Sequence, residues 1–338
     1  MKFYTLKIIL YIFLLACMFG CEKEKIEIIE RWEEAGTLNG VHKNNSAFHI
    51  LNANSIWAVG EEIWNYDGAT WNIVQSPTVD PLISVSGSSD LDIWILAHSD
   101  YATNINGSWA TSSEVWNWNG FEWKEIDNLN SGMIYSILVI DLQTIVIGSS
   151  GAIHISYDAG NTWIKYNIPT DSYCDDGKVK KITGEINNLF ISLNCGMLAE
   201  FNGVSWNTYS NSGSFGSGCG EIDKKDNKHY AIIYTASNVT PVFGDFYLKK
   251  YQNEELQESI NITTTLYNDS YSDQVQASLR NATLDVPSDM FFGSDNIYMY
   301  NGNDWIQETD INEGIRILQM VDNQRGWAIT ENGKILKR

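Results

Sequence analysis

A chain of 338 residues, 43% of them hydrophobic, can bury a substantial core, which excludes a disordered protein. Its 42 Asp and Glu against 22 Lys and Arg leave a net charge of −20, which repels phosphate backbones and excludes nucleic acid as a natural partner. The 13 Trp, 17 Tyr and 12 Phe beside only 5 Pro, with no sustained helical period past the N-terminus, predict an all-β chain.

In chain order, the first element is an address. Lys2 and Lys7 precede the apolar run Ile8 to Leu15, which is too short to span a bilayer. The run ends in Leu14-Leu15-Ala16-Cys17 and then Met18-Phe19-Gly20-Cys21, and both segments resemble the lipobox of bacterial lipoproteins. Cys21 is the expected lipidation site, because Glu22-Lys23-Glu24-Lys25 supplies a hydrophilic tether, whereas cleavage before Cys17 would leave Met18 and Phe19 beside the lipid. Residues 1–20 thus read as a lipoprotein signal peptide, 21–26 as a tether and 27–338 as the folded domain. The expected location is the bacterial cell envelope, on an outer-membrane lipoprotein held to the membrane by its lipid alone.

Beyond the tether the chain repeats. Short apolar strands recur at Ile56-Trp57-Ala58, Ile93-Trp94-Ile95, Ile145-Val146-Ile147, Leu189-Phe190-Ile191, Tyr230-Ala231-Ile232, Met290-Phe291-Phe292 and Gly326-Trp327-Ala328. The six steps from Ile56 to Gly326 average about 45 residues, the length of a four-stranded propeller blade. A second column places Gly three residues before Trp, in Gly68/Trp71, Gly120/Trp123, Gly160/Trp163, Gly203/Trp206 and Gly302/Trp305. These glycines fit tight hairpins that need positive φ, here between the third and fourth strands of each unit. The last unit stops after its third strand, and Ile28 to Glu34 resembles the outer strand around Trp123. The expectation is a seven-bladed β-propeller closed by an N-terminal strand that completes the last blade.

The stretch Ser156-Tyr157-Asp158-Ala159-Gly160-Asn161-Thr162-Trp163 matches Ser-x-Asp-x-Gly-x-Thr-Trp, and so resembles the Asp-box, or BNR repeat, of sialidases, sortilin-type receptors and photosystem-assembly propellers. The resemblance implies a structural turn on the face opposite the ligand site, so Asp158 and Trp163 are not site candidates. It does not extend to sialidase chemistry. Three converging arginines are needed to grip the substrate carboxylate, and the chain has only Arg31, Arg280, Arg316, Arg325 and Arg338, most of them in the last two units. The five histidines, His42, His49, His98, His154 and His229, show no metal-ligand spacing, and no nucleophile elbow or phosphate loop is present. No catalytic residue, metal site or cofactor is assigned.

Function is expected where connections between units and between second and third strands share one rim. The longest insertions fall there and carry Tyr101, Trp109, Tyr173, Asp175, Asp176, Phe243, Tyr267 and Tyr271. Aromatic platforms beside carboxylates suit sugar rings or a protein patch. Cys174, Cys195 and Cys219 map to the same rim, and an oxidising envelope favours one disulfide and one free thiol. Cys174 with Cys195 is the favoured pair, and Cys195 with Cys219 the alternative. The reading is a non-catalytic recognition propeller for a glycan or an envelope protein; its rival is a polysaccharide hydrolase or lyase working through paired carboxylates.

Overall fold

The computed structural model describes residues 30–39, 47–98, 103–105, 108–110, 113–129, 131–170, 174, 177–209, 218–225, 228–236, 244–252, 255–261, 290–293, 296–300, 305–321 and 324–338. The leader and tether lie outside them. Among the described residues there is no helix, and the strands assemble into six four-stranded sheets, one of three strands and one of two.

Each four-stranded sheet is antiparallel, and the first five follow the chain. The first comprises Ala47–Asn52, Ser55–Val59, Ile63–Tyr66 and Trp71–Val74. The second comprises Leu82–Ser89, Asp92–His98, Ser113–Trp118 and Trp123–Glu125, and the third Ile134–Val139, Ile145–Ser149, Ala152–Ser156 and Ile164–Asn167. The fourth holds Val179–Glu185, Asn188–Leu193, Leu198–Phe201 and Trp206–Tyr209, and the fifth Gly218–Lys225, Lys228–Ala236, Gly244–Gln252 and Glu255–Asn261. A three-stranded sheet follows, with Met290–Gly293, Ile297–Tyr300 and Trp305–Gln307. The terminal sheet takes Ile315–Met320, Gly326–Thr330 and Lys334–Lys337 from the end of the chain and Glu33–Thr37 from its beginning.

The first apolar column of the sequence forms the second strand of each four-stranded sheet. Ser55–Val59, Ile145–Ser149 and Gly326–Thr330 are buried along their whole length, which explains why these strands read as unbroken apolar runs and not as alternating ones. The Gly-to-Trp column forms the turns between third and fourth strands. Gly68, Gly120, Gly160 and Gly203 take φ of +92°, +94°, +80° and +89°, a region where a Cβ clashes with the backbone.

Neighbouring sheets share their cores. Trp57, Val59 and Ile63 of the first sheet pack with Leu82, Ile93 and Ile95 of the second. Trp94 and Leu96 of the second pack with Ile137, Ile145 and Ile147 of the third, and Ile153 and Ile155 of the third with Leu189 and Ile191 of the fourth. Phe190 and Leu198 meet Ile222 of the fifth, and Trp327 and Ile329 of the terminal sheet meet Ile56 and Tyr66 of the first. Each sheet is too thin to bury both faces alone, so the sheets stabilise one another in succession. Buried hydroxyls stitch the same seams: Val139 N donates to Ser86 Oγ at 2.9 Å, and Ser136 Oγ donates to Val179 O at 3.1 Å.

The pairing of the two chain ends differs in detail from expectation. The first strand begins at Glu33, after Trp32, and pairs Glu33 with Lys337, Glu34 with Leu336, Gly36 with Ile335 and Thr37 with Lys334, with an irregularity between Glu34 and Gly36. Trp32 instead donates from Nε1 to Glu308 Oε2 at 2.9 Å, and the ladder starts at the next residue. Ile28 and Ile29 lie outside the described residues.

Candidate functional site

The direction of the strands sorts the connections. Each innermost strand starts at one end of the assembly, the upper rim, where links between sheets and between second and third strands also fall. Links between first and second strands, and between third and fourth, fall at the opposite, lower end. An upper-rim contact knits consecutive sheets where Leu82 N donates to Gly60 O at 2.9 Å. Lower-end turns touch within each sheet, as where Ala159 N donates to Gln143 O at 3.0 Å.

Of the residues expected to bind ligand, Trp109 lies on a described strand. The insertion in the second sheet forms its own hairpin, Thr103–Ile105 against Ser108–Ala110, in which Asn104 pairs with Trp109. It projects between His98, which ends a second strand, and Ser113, which begins a third, so it belongs to the upper rim. Tyr101, Tyr173, Asp175, Asp176, Phe243, Tyr267 and Tyr271 lie outside the described residues, as do Cys21 and Arg280.

The sulfur pair is formed as favoured. Cys174 and Cys195 are disulfide-bonded with a Cα separation of 5.6 Å, across the connection into the fourth sheet. Cys174 is buried, and the segment after it is sewn on both sides. Gly177 N donates to Cys174 O at 2.9 Å, Gly151 N to Gly177 O at 2.8 Å, and Asn194 N to Lys178 O at 2.9 Å. A Cβ on Gly177 would sit 2.8 Å from Cys174 Sγ and 2.5 Å from Leu193 Cδ2, so only glycine lets the chain pass here. Cys219 lies on the innermost strand of the fifth sheet, opposite Ile233.

Beside this staple stands a cluster that sequence reasoning did not single out. His98 of the second sheet bonds through Nε2 to Ile134 O, and its ring meets Tyr135 of the third edge-on, with centroids 5.5 Å apart. Lys178 of the connection into the fourth sheet sets its Nζ 5.3 Å from the centroid of the same Tyr135 ring. Three successive sheets thus contribute an imidazole, a phenol and an ammonium to one stretch of rim. No local motif could have announced it, because the three residues are about forty residues apart in turn.

Farther round the rim, the terminal sheet carries a charged group. Arg316 lies on an innermost strand, as its sequence position allowed, and its Nη2 sits 3.8 Å from Glu331 Oε2. Lys334 Nζ lies 3.3 Å from Glu313 Oε1 and 3.8 Å from Glu34 Oε2. Burial pushes the Glu313 carboxyl up, but hydrogen bonds from Thr330 and Lys334 outweigh it and hold the group below the usual carboxylate range. Glu313 is therefore a fixed anion and not a proton donor poised near neutrality. In two histidines desolvation disfavours the charged form. Desolvation lowers His49, whose Nε2 bonds to Gly87 O at 2.9 Å, and lowers His154 to about 4 with help from Lys165. Among the described residues no three His, Cys, Asp or Glu side chains are placed to hold a metal ion.

Scans against protein-family models and curated proteins find no match to the chain. Solved structures do match its fold. YCF48 bound to D1 peptide superposes with a TM-score of 0.64 at 12% identity, over 93% of this chain and 99% of that one. The WD40 β-propeller domain of Doa1 gives 0.59 at 11%, over 90% and 96%, and streptogramin B lyase 0.59 at 16%, over 90% and 96%. The chain folds as a β-propeller. In a propeller the sheets are blades, and the upper rim is the face on which the connections between them gather. The neighbours include both a peptide-bound protein and a lyase, so at these identities the fold does not carry an activity with it.

Proposed function

We propose that this chain is a seven-bladed recognition propeller, tethered to the bacterial envelope through Cys21, that binds a polypeptide segment of an envelope protein on its upper rim. The observation that carries this reading is the convergence of His98, Tyr135 and Lys178 from three successive blades beside the Cys174–Cys195 staple. A rigid aromatic with a cation stacked on it suits peptide carbonyls, carboxylates and apolar side chains together. YCF48, whose fold this chain shares, is bound to a D1 peptide, which supports a polypeptide over a glycan as the first class to test.

Seven blades are supported by the repeat. The innermost strands of the first five sheets lie side by side in order, and the terminal sheet lies between the first and the three-stranded one. Met290–Gly293 pairs with Ile297–Tyr300 as second strands pair with third strands elsewhere, which makes the three-stranded sheet the sixth blade. In this reading the N-terminal strand, which pairs with Lys334–Lys337, is what fastens the ring.

Screening the purified chain on peptide and glycan arrays tests the reading. Discrete peptide hits are expected, weakened roughly tenfold or more by Tyr135→Ala or Lys178→Ala, as removal of a central anchor does. Glycan hits without peptide hits, or turnover of a polysaccharide, would overturn it.

A further inference from the structure

The lower end of the propeller carries apolar side chains that the fold does not use. Phe121 is 88% exposed and Val204 89%, each in the turn between third and fourth strands, and both follow the glycine of the turn directly. Leu91 and Leu142 are exposed in the turns between first and second strands of the second and third blades. Leu91 packs over Gly120, the residue before Phe121. Soluble proteins tolerate single exposed apolar residues, but turn tips are where polar residues cost least, and here four are apolar on three consecutive blades.

The chain outside the structure begins at this same end. The strand Glu33–Thr37 completes the terminal sheet as a fourth strand, so it starts at the lower end and finishes at the upper rim, where Leu38 N donates to Gly333 O. Arg31 and Trp32 therefore lie at the lower end, beside Arg338 and Glu308. Arg31 is ten positions beyond Cys21, a reach of at most about 35 Å when fully extended. The tether thus leaves the propeller from its lower end.

We propose that the lower end lies against the surface of a zwitterionic phospholipid bilayer, with Leu91, Phe121, Leu142 and Val204 as its contacts. The proposal rests on the lipid anchor in the function proposed above. Zwitterionic headgroups suit a chain of net charge −20, which anionic lipid would repel. Two carboxylates of these turns are engaged. Asp141 accepts from the backbone of Gln143 and Thr144, and Asp158 from the backbone and hydroxyl of Thr162. Such an orientation presents the upper rim away from the membrane, toward the partners it is proposed to bind.

The test uses the full lipidated chain, with Cys219→Ser, reconstituted in vesicles of phosphatidylcholine and phosphatidylethanolamine. An environment-sensitive fluorophore is attached at Phe121→Cys, Leu142→Cys or, as an upper-rim control, Val79→Cys, and quenching by a nitroxide on the lipid is measured. Val79 is fully exposed on the link between the first and second blades. Quenching at 121 and 142 at least about threefold that at 79 is expected for side chains that dip about 5–10 Å into the interface. Equal quenching at the three positions would overturn the proposal. So would a blue shift at 121 that grows with the protein-to-lipid ratio without quenching, since it would mark contact between copies. Intact mass of the same sample separates the two readings. No quenching on a chain carrying lipid defeats the apposition alone, whereas an unlipidated Cys21 defeats the anchor and the apposition with it.

Discussion

Glu308 and Arg338 form a bidentate pair, Nε to Oε2 and Nη2 to Oε1, each at 2.8 Å, with the carboxylate side chain wholly buried. Arg31 Nη1 adds a contact to Oε1 at 3.2 Å and Trp32 Nε1 one to Oε2 at 2.9 Å. One carboxylate, on the link that leaves the three-stranded sheet, thereby fastens the first described residues to the last. Burying an anion is costly unless its lone pairs are filled, and here four donor contacts fill them.

Glu308→Gln keeps the volume and removes the charge, leaving two guanidinium groups without their shared anion. The expected loss is about 3 kcal/mol, as for other buried pairs broken on one side. Urea denaturation followed by tryptophan fluorescence measures it, and limited proteolysis should cut first near Arg31. An unchanged midpoint would show that the latch contributes nothing to stability.

The disulfide should behave as a constraint on the unfolded chain. Cys174 and Cys195 are 21 residues apart, and closing a loop of that length is worth about 3 kcal/mol. Cys195→Ser is expected to lower stability by about that much and to abolish the cross-linked peptide in a non-reducing digest. A digest of the native chain that instead joined Cys195 to Cys219 would refute the pairing.

What the sequence disclosed follows from what acts locally. The second strands were legible because runs such as Ile145-Val146-Ile147 are covered on both faces, and the turns because Gly68, Gly120 and Gly203 need positive φ. The disulfide was legible from redox arithmetic, with one alternative left open. The start of the first strand was not, because the capture of Trp32 by Glu308 is a contact across 276 positions that no local pattern records. The grouping of His98, Tyr135 and Lys178 was hidden for the same reason. Each residue alone reads as an ordinary strand-end side chain, and the stacking of blades makes the cluster.

The turn at Gly160 allows a sharp comparison. Its φ is +80°, and a Cβ there would sit 2.7 Å from Trp94 Cη2, while Trp94 itself is buried and donates from Nε1 to Asp92 Oδ1 at 2.8 Å. Gly160→Ala should therefore cost about 1–3 kcal/mol through backbone strain and displacement of the indole. Gly132→Ala, where a Cβ would meet nothing within 4 Å, serves as the control and should leave the melting temperature nearly unchanged. Equal effects at the two glycines would contradict the packing described.

Acid sensitivity should follow His154. Its side chain is buried on the third strand of the third sheet, with Nε2 3.1 Å from Ser149 Oγ, and desolvation, aided by Lys165, lowers its pKa from 6.5 to about 4. The folded protein therefore holds this imidazole neutral where the unfolded chain protonates it. Its contribution is complete above pH 6.5 and is lost as pH falls toward about 4, because protons are taken up on unfolding in that window. Melting temperatures at pH 7.5, 6 and 5 should fall progressively in the native chain, and His154→Asn should show a shallower fall across the same steps. Carboxylates whose folded pKa is depressed, Glu313 among them, add their own loss at lower pH, so the difference between the two proteins isolates the imidazole. Parallel pH profiles for the native chain and His154→Asn would show that this histidine is not the buried neutral base the packing implies.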